Sequence, residues 1–239
     1  MTSGFVAAPS AANQIPVGGT YGVDEAGRGP VLGPMAIAVV ELDSRSECFL
    51  RSLGVADSKR FGSGAKAQAH RARLSGEIRS SASSHSVELV SVETVDRYTF
   101  RGLLNQLERE TVLALLQRVG ADHRAHIICD GARMFSPLRE RYARLLAVDK
   151  GESFHIAVAA ASILAKTARD LAFNAIATRY EADFGPVRGG GYVNAGTREF
   201  LARYAERHDG ALPPEVRRSW GAAKRRGVAA QPVERSPLR

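Results

Sequence analysis

Cysteine is scarce in this chain of 239 residues. Cys48 and Cys129 are the only two in the sequence, and they lie far apart. Two separated thiols supply neither a disulfide framework nor the ligand spacing of a zinc site. Cys129 also ends an apolar run typical of a buried strand. The cysteine content therefore indicates a reduced interior, and we expect a cytoplasmic location.

Long hydrophobic runs are also missing. No segment has the roughly 18 consecutive apolar residues of a membrane-spanning helix, so we expect no membrane partner. Residues 1–18 carry no charge and lack both the basic start and the long apolar core of a signal peptide. This stretch is predicted to be a disordered leader.

Acidic residues are outnumbered, with 25 Asp and Glu against 33 Lys and Arg, a net charge of +8. The final segment, 221–239, has five basic residues and one acidic residue, so four of the eight excess charges lie there. We interpret residues 223–239 as a basic disordered tail. Excess positive charge favours a polyanionic partner such as nucleic acid, although many basic proteins bind none.

The remaining residues, 19–222, are enough for one domain with a sizeable core, since 44% of the chain is apolar. We expect this domain to be monomeric. Short apolar runs, alternation at 86–92 and turn residues predict five strands, and apolar stripes with high alanine content predict helices between and after them. The strands are expected at 20–23, 35–42, 86–92, 126–129 and 144–148, and the helices at 65–82, 103–116, 156–176 and 197–207.

This order of elements predicts an α/β fold. A first hairpin followed by alternating helices and strands gives a mixed five-stranded sheet flanked by helices. A small helical C-terminal section is expected from about residue 185. In such sheets, polar residues at strand ends face a common crevice.

Acidic residues occur at three such places. Asp24 and Glu25 follow the first strand, Asp130 follows the fourth, and Glu152 lies just after the fifth. If they converge, four carboxylates repel one another unless a cation lies among them, and hard oxygen ligands select Mg²⁺ or Mn²⁺. The pattern indicates a metal-dependent phosphoryl-transfer site. The alternative is a set of solvated acids beside turns.

Three further segments are candidate substrate contacts. Gly27-Arg28-Gly29 combines a permissive backbone with a planar cation, as in phosphate-binding turns. Asp57-Ser58-Lys59 adds an ammonium group, and Tyr192 after three glycines could stack on a sugar or base. An ordinary turn, ordinary loop chemistry and a tyrosine packed on its own loop remain the alternatives.

Four other polar or aromatic positions receive structural interpretations. We expect a solvated Asp149, an Asp170 paired with Arg169 or Arg179, a partly buried His155 and a core Trp220.

Taken together, the motifs resemble ribonuclease HII over roughly residues 19–220. They are Gly22-Val23-Asp24-Glu25-Ala26-Gly27-Arg28-Gly29-Pro30, Asp57-Ser58-Lys59, Cys129-Asp130-Gly131, and Ala159 to Lys166 followed by Arg169-Asp170. The ending, with Pro213-Pro214 and Arg217 to Trp220, is similar to the archaeal and eukaryotic branch. The resemblance implies a ribonuclease H-like fold. It also implies endonucleolytic hydrolysis of RNA in RNA-DNA hybrids, including single ribonucleotides embedded in duplex DNA.

The resemblance also implies roles for individual residues. Asp24, Glu25, Asp130 and Glu152 would bind the metals. The turn of Gly27, Arg28 and Gly29 would grip the junction between ribonucleotide and deoxyribonucleotide together with Tyr192, and Lys59 would contact a backbone phosphate. Our hypothesis is catalysis by two divalent ions, Mg²⁺ or Mn²⁺, that leaves 5′-phosphate and 3′-hydroxyl ends.

One position departs from the family pattern. Ribonuclease HII usually has Asp where this chain has Glu152, and ribonuclease HIII usually has Glu. Two alternatives therefore stay open: a ribonuclease HIII-like hybrid nuclease, and a non-catalytic nucleic-acid-binding module on the same scaffold.

Overall fold

The computed structural model describes residues 18–55, 62 and 64–220. Its centre is a mixed sheet of five strands in the order β3-β2-β1-β4-β5. Strands β1, β2 and β3 pair antiparallel, whereas β4 runs parallel to both β1 and β5. The strands are β1 (Thr20–Ala26), β2 (Met35–Leu42), β3 (Ser84–Val90), β4 (His126–Asp130) and β5 (Leu145–Val148). The predicted α/β fold with a mixed five-stranded sheet is confirmed.

Helices cover both faces of this sheet. Helix α6 lies on one face together with α1 and α2, and α3 and α4 lie on the other. Within the described chain, no helix is both long enough and apolar enough to cross a membrane. The helices are α1 (Ser44–Ser52), α2 (Ala65–Ser81), α3 (Val92–Thr99), α4 (Leu104–Arg118), α5 (Ala132–Phe135), α6 (Ile156–Phe184) and α7 (Ala195–Arg207).

Helix α6 forms because its sequence has many strong helix formers and neither glycine nor proline. Its first ten residues are nearly all buried against β1 and β2. The closest approach is at Gly22, where a Cβ would lie 2.0 Å from the carbonyl carbon of Ala157. A glycine is therefore required at this point of β1, and the contact fixes the position of α6 relative to the strand.

Some element boundaries differ from the predictions. Strand β1 continues to Ala26 instead of ending at 23, because its ladder with β2 extends to the pair Ala26↔Ala36. Helix α6 continues to Phe184, beyond the predicted end at 176. Helices α1, α3 and α5 were not predicted. All three are short, and α1 and α3 begin at side-chain caps, Asp43 and Ser91.

The C-terminal section packs on the loop between β1 and β2. Its core contains Val31 and Leu32 of that loop together with residues of α6 and α7. The segment Pro213–Trp220, called the C-terminal strap below, runs along the same loop. Leu32 forms a bridge with Val216, and the backbone N–H of Arg217 donates to the carbonyl of Val31 at 2.8 Å. The sequence did not predict this pairing.

Candidate active site

Asp24 and Glu25 lie inside β1 and point to opposite faces of the sheet. Side chains alternate along a strand, so neighbours on β1 are separated by the sheet itself. Asp24 faces α6, where it interacts with Ser162 and Lys166. Glu25 faces α4, where it interacts with Glu108. The expectation that both acids stand at a strand end is therefore wrong, since the strand passes through them.

Asp24 is only 5% exposed. One carboxylate oxygen accepts from the backbone N–H of Glu25 at 2.8 Å, and Ser162 also hydrogen-bonds to the side chain. Lys166 donates to the hydroxyl of Ser162 at 2.7 Å, which brings its charge near the carboxylate. Burial, followed by repulsion from Glu25, nevertheless raises the pKa of Asp24 to about 8. The charged form of Asp24 is therefore disfavoured in the metal-free protein.

A fifth carboxylate, Glu108 of α4, lies near Glu25. It is fully buried and forms an ion pair with Arg28. Burial, and then the charge of Glu108, raise the pKa of Glu25 to about 7, while burial raises the pKa of Glu108 to about 7 as well. The sequence analysis did not identify Glu108. Its signal is a glutamate on the apolar side of α4, one turn after Leu104 and one turn before Val112.

Asp130 and Glu152 form a second pair of acids. The parallel pairing Val23↔Cys129 places Asp130 beside Asp24 in the neighbouring strand. Asp130 accepts from the backbone N–H of Gly151 at 3.0 Å and shares a hydrogen bond with the carboxyl group of Glu152. Such a bond requires one of the two groups to hold a proton. Burial is the main cause of the raised pKa of Asp130, and Glu152 adds to it.

Glu152 itself is buried in a short 3-10 helix, Gly151–Ser153. The turn before this helix places Lys150 in the left-handed conformation, with φ of 61°. Few residues other than glycine adopt this conformation, so the turn after β5 is tightly constrained. It directs Glu152 back towards the end of β4.

The four predicted carboxylates are thus close enough to interact through their charges, but they are not arranged around a single metal position. Asp24 and Glu25 each interact with Asp130, and Asp130 interacts with Glu152. Among the described residues, however, no three His, Cys, Asp or Glu side chains are grouped so as to hold a metal ion. The donors fit a hard divalent cation in their chemistry: all are carboxylate oxygens, and burial raises the pKa values of Asp24, Glu25 and Asp130.

The side chain of Arg28 holds the Gly27-Arg28-Gly29 turn in place. Gly27 has φ of 82°, a left-handed conformation that suits glycine. The guanidinium group of Arg28 donates to Glu108, to the side chain of Asn105 at 2.6 Å and to the sulfur of Met134. Arg28 therefore binds protein groups in this structure and is only partly exposed.

Tyr192 lies against this turn. A Cβ at Gly29 would be 3.3 Å from Cε1 of the Tyr192 ring, which is 54% exposed. The backbone of the glycine loop supports the contact, because the carbonyl of Gly191 accepts from the N–H groups of Val31 and Leu32 at 2.9 and 3.2 Å. The structure thus brings Tyr192 and the turn together. The predicted phosphate contact Lys59 lies outside the described residues.

The four structural interpretations have mixed outcomes. Asp149 accepts from the backbone N–H of Ala132 at 2.8 Å. Asp170 pairs with Arg71 at 2.9 Å rather than with Arg169 or Arg179, because α2 packs along α6. His155 is half-buried at the start of α6, as expected. Trp220 packs against two core clusters and also donates its indole N–H to the carbonyl of Gly29 at 3.2 Å.

Comparison with known proteins agrees with this geometry. The family model described as Ribonuclease HII matches residues 21–223. The chain belongs to the ribonuclease HII family. Ribonuclease HII of Pyrococcus furiosus is 35% identical over 213 residues, which cover 85% of this chain and 89% of that protein. Ribonuclease HII of Methanosarcina mazei is 31% identical over 212 residues, covering 83% of this chain and 92% of that protein.

Solved ribonuclease H2 and HII structures share the fold. The crystal structure of ribonuclease H2 from Pyrococcus horikoshii OT3 has a TM-score of 0.73 and 30% identity, over 86% of this chain and 95% of that one. RNase HII in the PCNA complex of Archaeoglobus fulgidus has a TM-score of 0.69 and 31% identity, over 84% and 95%. Bst-RNase HIII in complex with Mn²⁺ has a TM-score of 0.67, and at 22% identity it supports the fold alone.

Membership in the ribonuclease HII family establishes the general activity. The protein is a ribonuclease H of type 2, a metal-dependent endonuclease of the hydrolase class that acts on RNA-DNA hybrids. It requires a divalent metal ion.

Proposed function

We propose that this ribonuclease H cuts RNA-DNA hybrids and also cuts duplex DNA at single embedded ribonucleotides, using two divalent ions, Mg²⁺ or Mn²⁺. Asp24, Glu25, Asp130 and Glu152 would hold the ions. The single observation that carries the proposal is that acids from β1, β4 and the turn after β5 share one electrostatic neighbourhood, in which the pKa values of Asp24, Glu25 and Asp130 are raised.

Bound metal would supply Lewis-acid stabilisation of the phosphate and a water molecule of lowered pKa. The chain must first release protons and turn carboxylates towards the ions. Asp130 and Glu152 would give up the proton they share, and Asp24 would rotate away from the N–H of Glu25. Lys166, held by Ser162, would balance negative charge on the α6 side. The products would carry 5′-phosphate and 3′-hydroxyl ends.

The choice of RNA over DNA would come from the turn and the ring beside it. Only the 2′-hydroxyl distinguishes a ribonucleotide from a deoxyribonucleotide at one position. Gly29 is the exposed tip of the turn, and the Tyr192 ring stands next to it. The backbone groups of Gly27 and Gly29 would contact the ribose and its phosphate, while Tyr192 would stack on the adjacent sugar or base. Lys59 is proposed to contact a backbone phosphate.

The test is cleavage of two labelled duplexes, a long RNA-DNA hybrid and a DNA duplex with one ribonucleotide, each with Mg²⁺ or Mn²⁺. We expect both to be cut, and Asp24→Asn or Asp130→Asn to lower kcat by at least about a hundredfold. Asp149→Asn is the matched control, since this exposed acid accepts from the backbone N–H of Ala132. Undiminished cleavage by either active-site variant would show that the assignment of carboxylates is wrong.

The same assay separates the competing functions. A ribonuclease HIII-like enzyme, which the glutamate at 152 favours, would cut the long hybrid and leave the single ribonucleotide intact. Metal-independent binding without turnover on either duplex would indicate a binding module. Mapping the cleaved bond and the end groups completes the comparison.

The extent of the active protein is also proposed. We expect residues 19–222 to be the catalytic domain, acting as a monomer. A chain limited to these residues should retain the kcat of the full chain and should have a monomer mass in light scattering. The cytoplasmic location stays a prediction.

A further inference from the structure

Two arginines are buried directly behind the Gly27–Gly33 turn. Arg217 of the C-terminal strap is fully buried, and Arg169 of α6 is nearly so. Each bonds to backbone carbonyl groups of the turn. Arg217 donates to the carbonyls of Gly33 at 2.9 Å and Arg28 at 3.2 Å, and Arg169 donates to that of Leu32 at 3.1 Å. Three carbonyls of one turn thus point inward to guanidinium groups.

The burial of these two charges is costly. Among the described residues, neither arginine forms an ion pair with a carboxylate within hydrogen-bonding distance. Within the part of the chain that the structure describes, Nη2 of Arg217 and Nε of Arg169 are buried without a hydrogen-bond partner. Burial, followed by the charge of Arg169, lowers the pKa of Arg217 to about 10. A buried charge without a carboxylate partner destabilises a fold, and this cost points to another role for the two arginines.

Aromatic rings provide part of the compensation. The guanidinium of Arg217 lies 5.1 Å from the ring centre of Trp220, and that of Arg169 lies 5.1 Å from the ring centre of Phe173. Trp220 in turn donates to the carbonyl of Gly29. The ring and the guanidinium of the strap therefore act on consecutive peptide groups of the turn.

Asp96 of α3 fixes the strap from outside. Its carboxylate accepts from the backbone N–H groups of Arg218 at 2.8 Å and Ser219 at 2.9 Å, and from the hydroxyl of Ser219. These contacts hold the two residues between Arg217 and Trp220. The strap is thus attached to α3 on one side and to the turn on the other.

We propose that Arg217 is a positioning residue for substrate recognition, which orients and polarises the Arg28–Gly29 peptide so that the turn binds the RNA-containing strand. A guanidinium that donates to the carbonyl of Arg28 draws electron density from the same peptide group, and this makes the N–H of Gly29 a stronger donor. Gly29 is exposed at the tip of the turn, where a phosphate or a ribose hydroxyl can reach it. The part of this inference that concerns the substrate rests on the proposed function above.

The test compares Arg217→Lys with Arg218→Ala, two changes at neighbouring strap positions. Lysine keeps the charge but cannot bond two carbonyls in the fixed geometry of a guanidinium. We expect Arg217→Lys to raise KM for RNA-containing duplexes by roughly tenfold to a hundredfold, with kcat at saturating substrate within about threefold of the parent chain. The divalent-ion concentration at half-maximal rate should be unchanged. Arg218 is exposed, so Arg218→Ala should leave KM unchanged.

Asp96→Ala provides a second variant that keeps Arg217 and frees the strap. We expect a smaller rise in KM, of about threefold to tenfold. An unchanged KM in both variants overturns the proposal, as does a fall in kcat at constant KM. If Arg217→Lys does not fold, Asp96→Ala decides the question alone.

The proposed substrate range and the positioning role of Arg217 can be refuted independently. If the parent chain cuts long hybrids but not single ribonucleotides, the proposed substrate range is wrong. The KM comparison on long hybrids then still decides the role of Arg217. If the parent chain cuts both duplexes and the variants keep its KM on both, the positioning role alone is wrong.

Discussion

A Cβ at Gly22 would lie 2.0 Å from the carbonyl carbon of Ala157, so the backbones of β1 and α6 are in direct contact. This contact places Ser162 and Lys166 opposite Asp24. A side chain at position 22 would push α6 away from β1. It would also move Lys166 of α6 away from the carboxylate of Asp24.

Gly22→Ala should therefore destabilise the fold by about 3 kcal/mol or more, because neither backbone can yield without disrupting its hydrogen bonds. Gly76→Ala in α2 is the matched control, since a Cβ there meets nothing within 4 Å. It should stabilise the protein by about 0.5–1 kcal/mol. Denaturant unfolding of both variants measures the difference, and equal stabilities would contradict the close contact.

Asp24→Asn should stabilise the metal-free protein in a pH-dependent way. The folded-state pKa of Asp24, about 8, lies above its ordinary value of 3.8, so the folded state holds this proton more tightly than the unfolded state. The parent chain therefore loses stability as pH rises from about 4 to about 8, and the variant lacks this loss. Its advantage should grow over that range to a few kcal/mol and then level off.

Thermal unfolding in the presence of a chelator measures this advantage. Added Mn²⁺ should remove it, because only the parent chain gains stability by binding the ion at a complete site. A variant no more stable than the parent at pH 8 would show that the charged carboxylate of Asp24 does not destabilise the fold.

Glu152→Asp should change the response to metal more than the binding of substrate. The shorter side chain places its carboxylate about one bond further back in the turn after β5. We expect the Mg²⁺ and Mn²⁺ concentrations at half-maximal rate to shift by at least about threefold, and KM for the hybrid to change by less than twofold. Glu152→Gln, which keeps the length and removes the charge, should lose most activity. Equal metal responses in the parent and Glu152→Asp would show that Glu152 does not bind the metal ions.

Arg28→Ala should destabilise the protein as well as weaken substrate binding. It leaves the fully buried Glu108 without its cationic partner. Because Arg28 is partly exposed, we expect a loss of about 1–3 kcal/mol. Adding Glu108→Gln should restore part of the stability, since the uncompensated buried charge is then gone. If the double variant is no more stable than Arg28→Ala, the ion pair has no structural role.

Gly29→Ala should affect the contact with Tyr192. The added methyl group would lie 3.3 Å from the ring, so the ring must shift by a few tenths of an ångström. We expect KM for the single-ribonucleotide duplex to rise by about threefold to tenfold, with unchanged unfolding temperature. In a Tyr192→Ala background, which lacks the ring, Gly29→Ala should add little if it acts through the ring.

The sequence predicted the sheet well because strands and turns are encoded locally. The apolar runs of β2 and of β4 before Asp130 are properties of a few neighbouring residues. The extension of β1 through Asp24 and Glu25 was not predicted, because it depends on pairing with β2. A charged pair that reads locally as a strand end is carried into the sheet by its partner strand.

The candidate site was likewise predicted where local motifs encode it and missed where it depends on distant contacts. The family motifs indicated the acids and the turn, and the alternation of side chains along a strand puts Asp24 and Glu25 on opposite faces, as in the structure. Glu108 and Arg217 were missed because their roles depend on contacts 80 and 189 positions away in the sequence, both at Arg28. No local pattern encodes such distances.

The two cysteines differ in a way that offers a practical tool. Cys48 is exposed on α1, whereas Cys129 is fully buried in β4, and burial together with the charge of Asp130 raises the pKa of its thiol. A thiol reagent should therefore label Cys48 first, on the α1 side of the molecule. A dye placed there reports tumbling and duplex binding by fluorescence anisotropy. Any later reaction at Cys129 signals that the central sheet has opened.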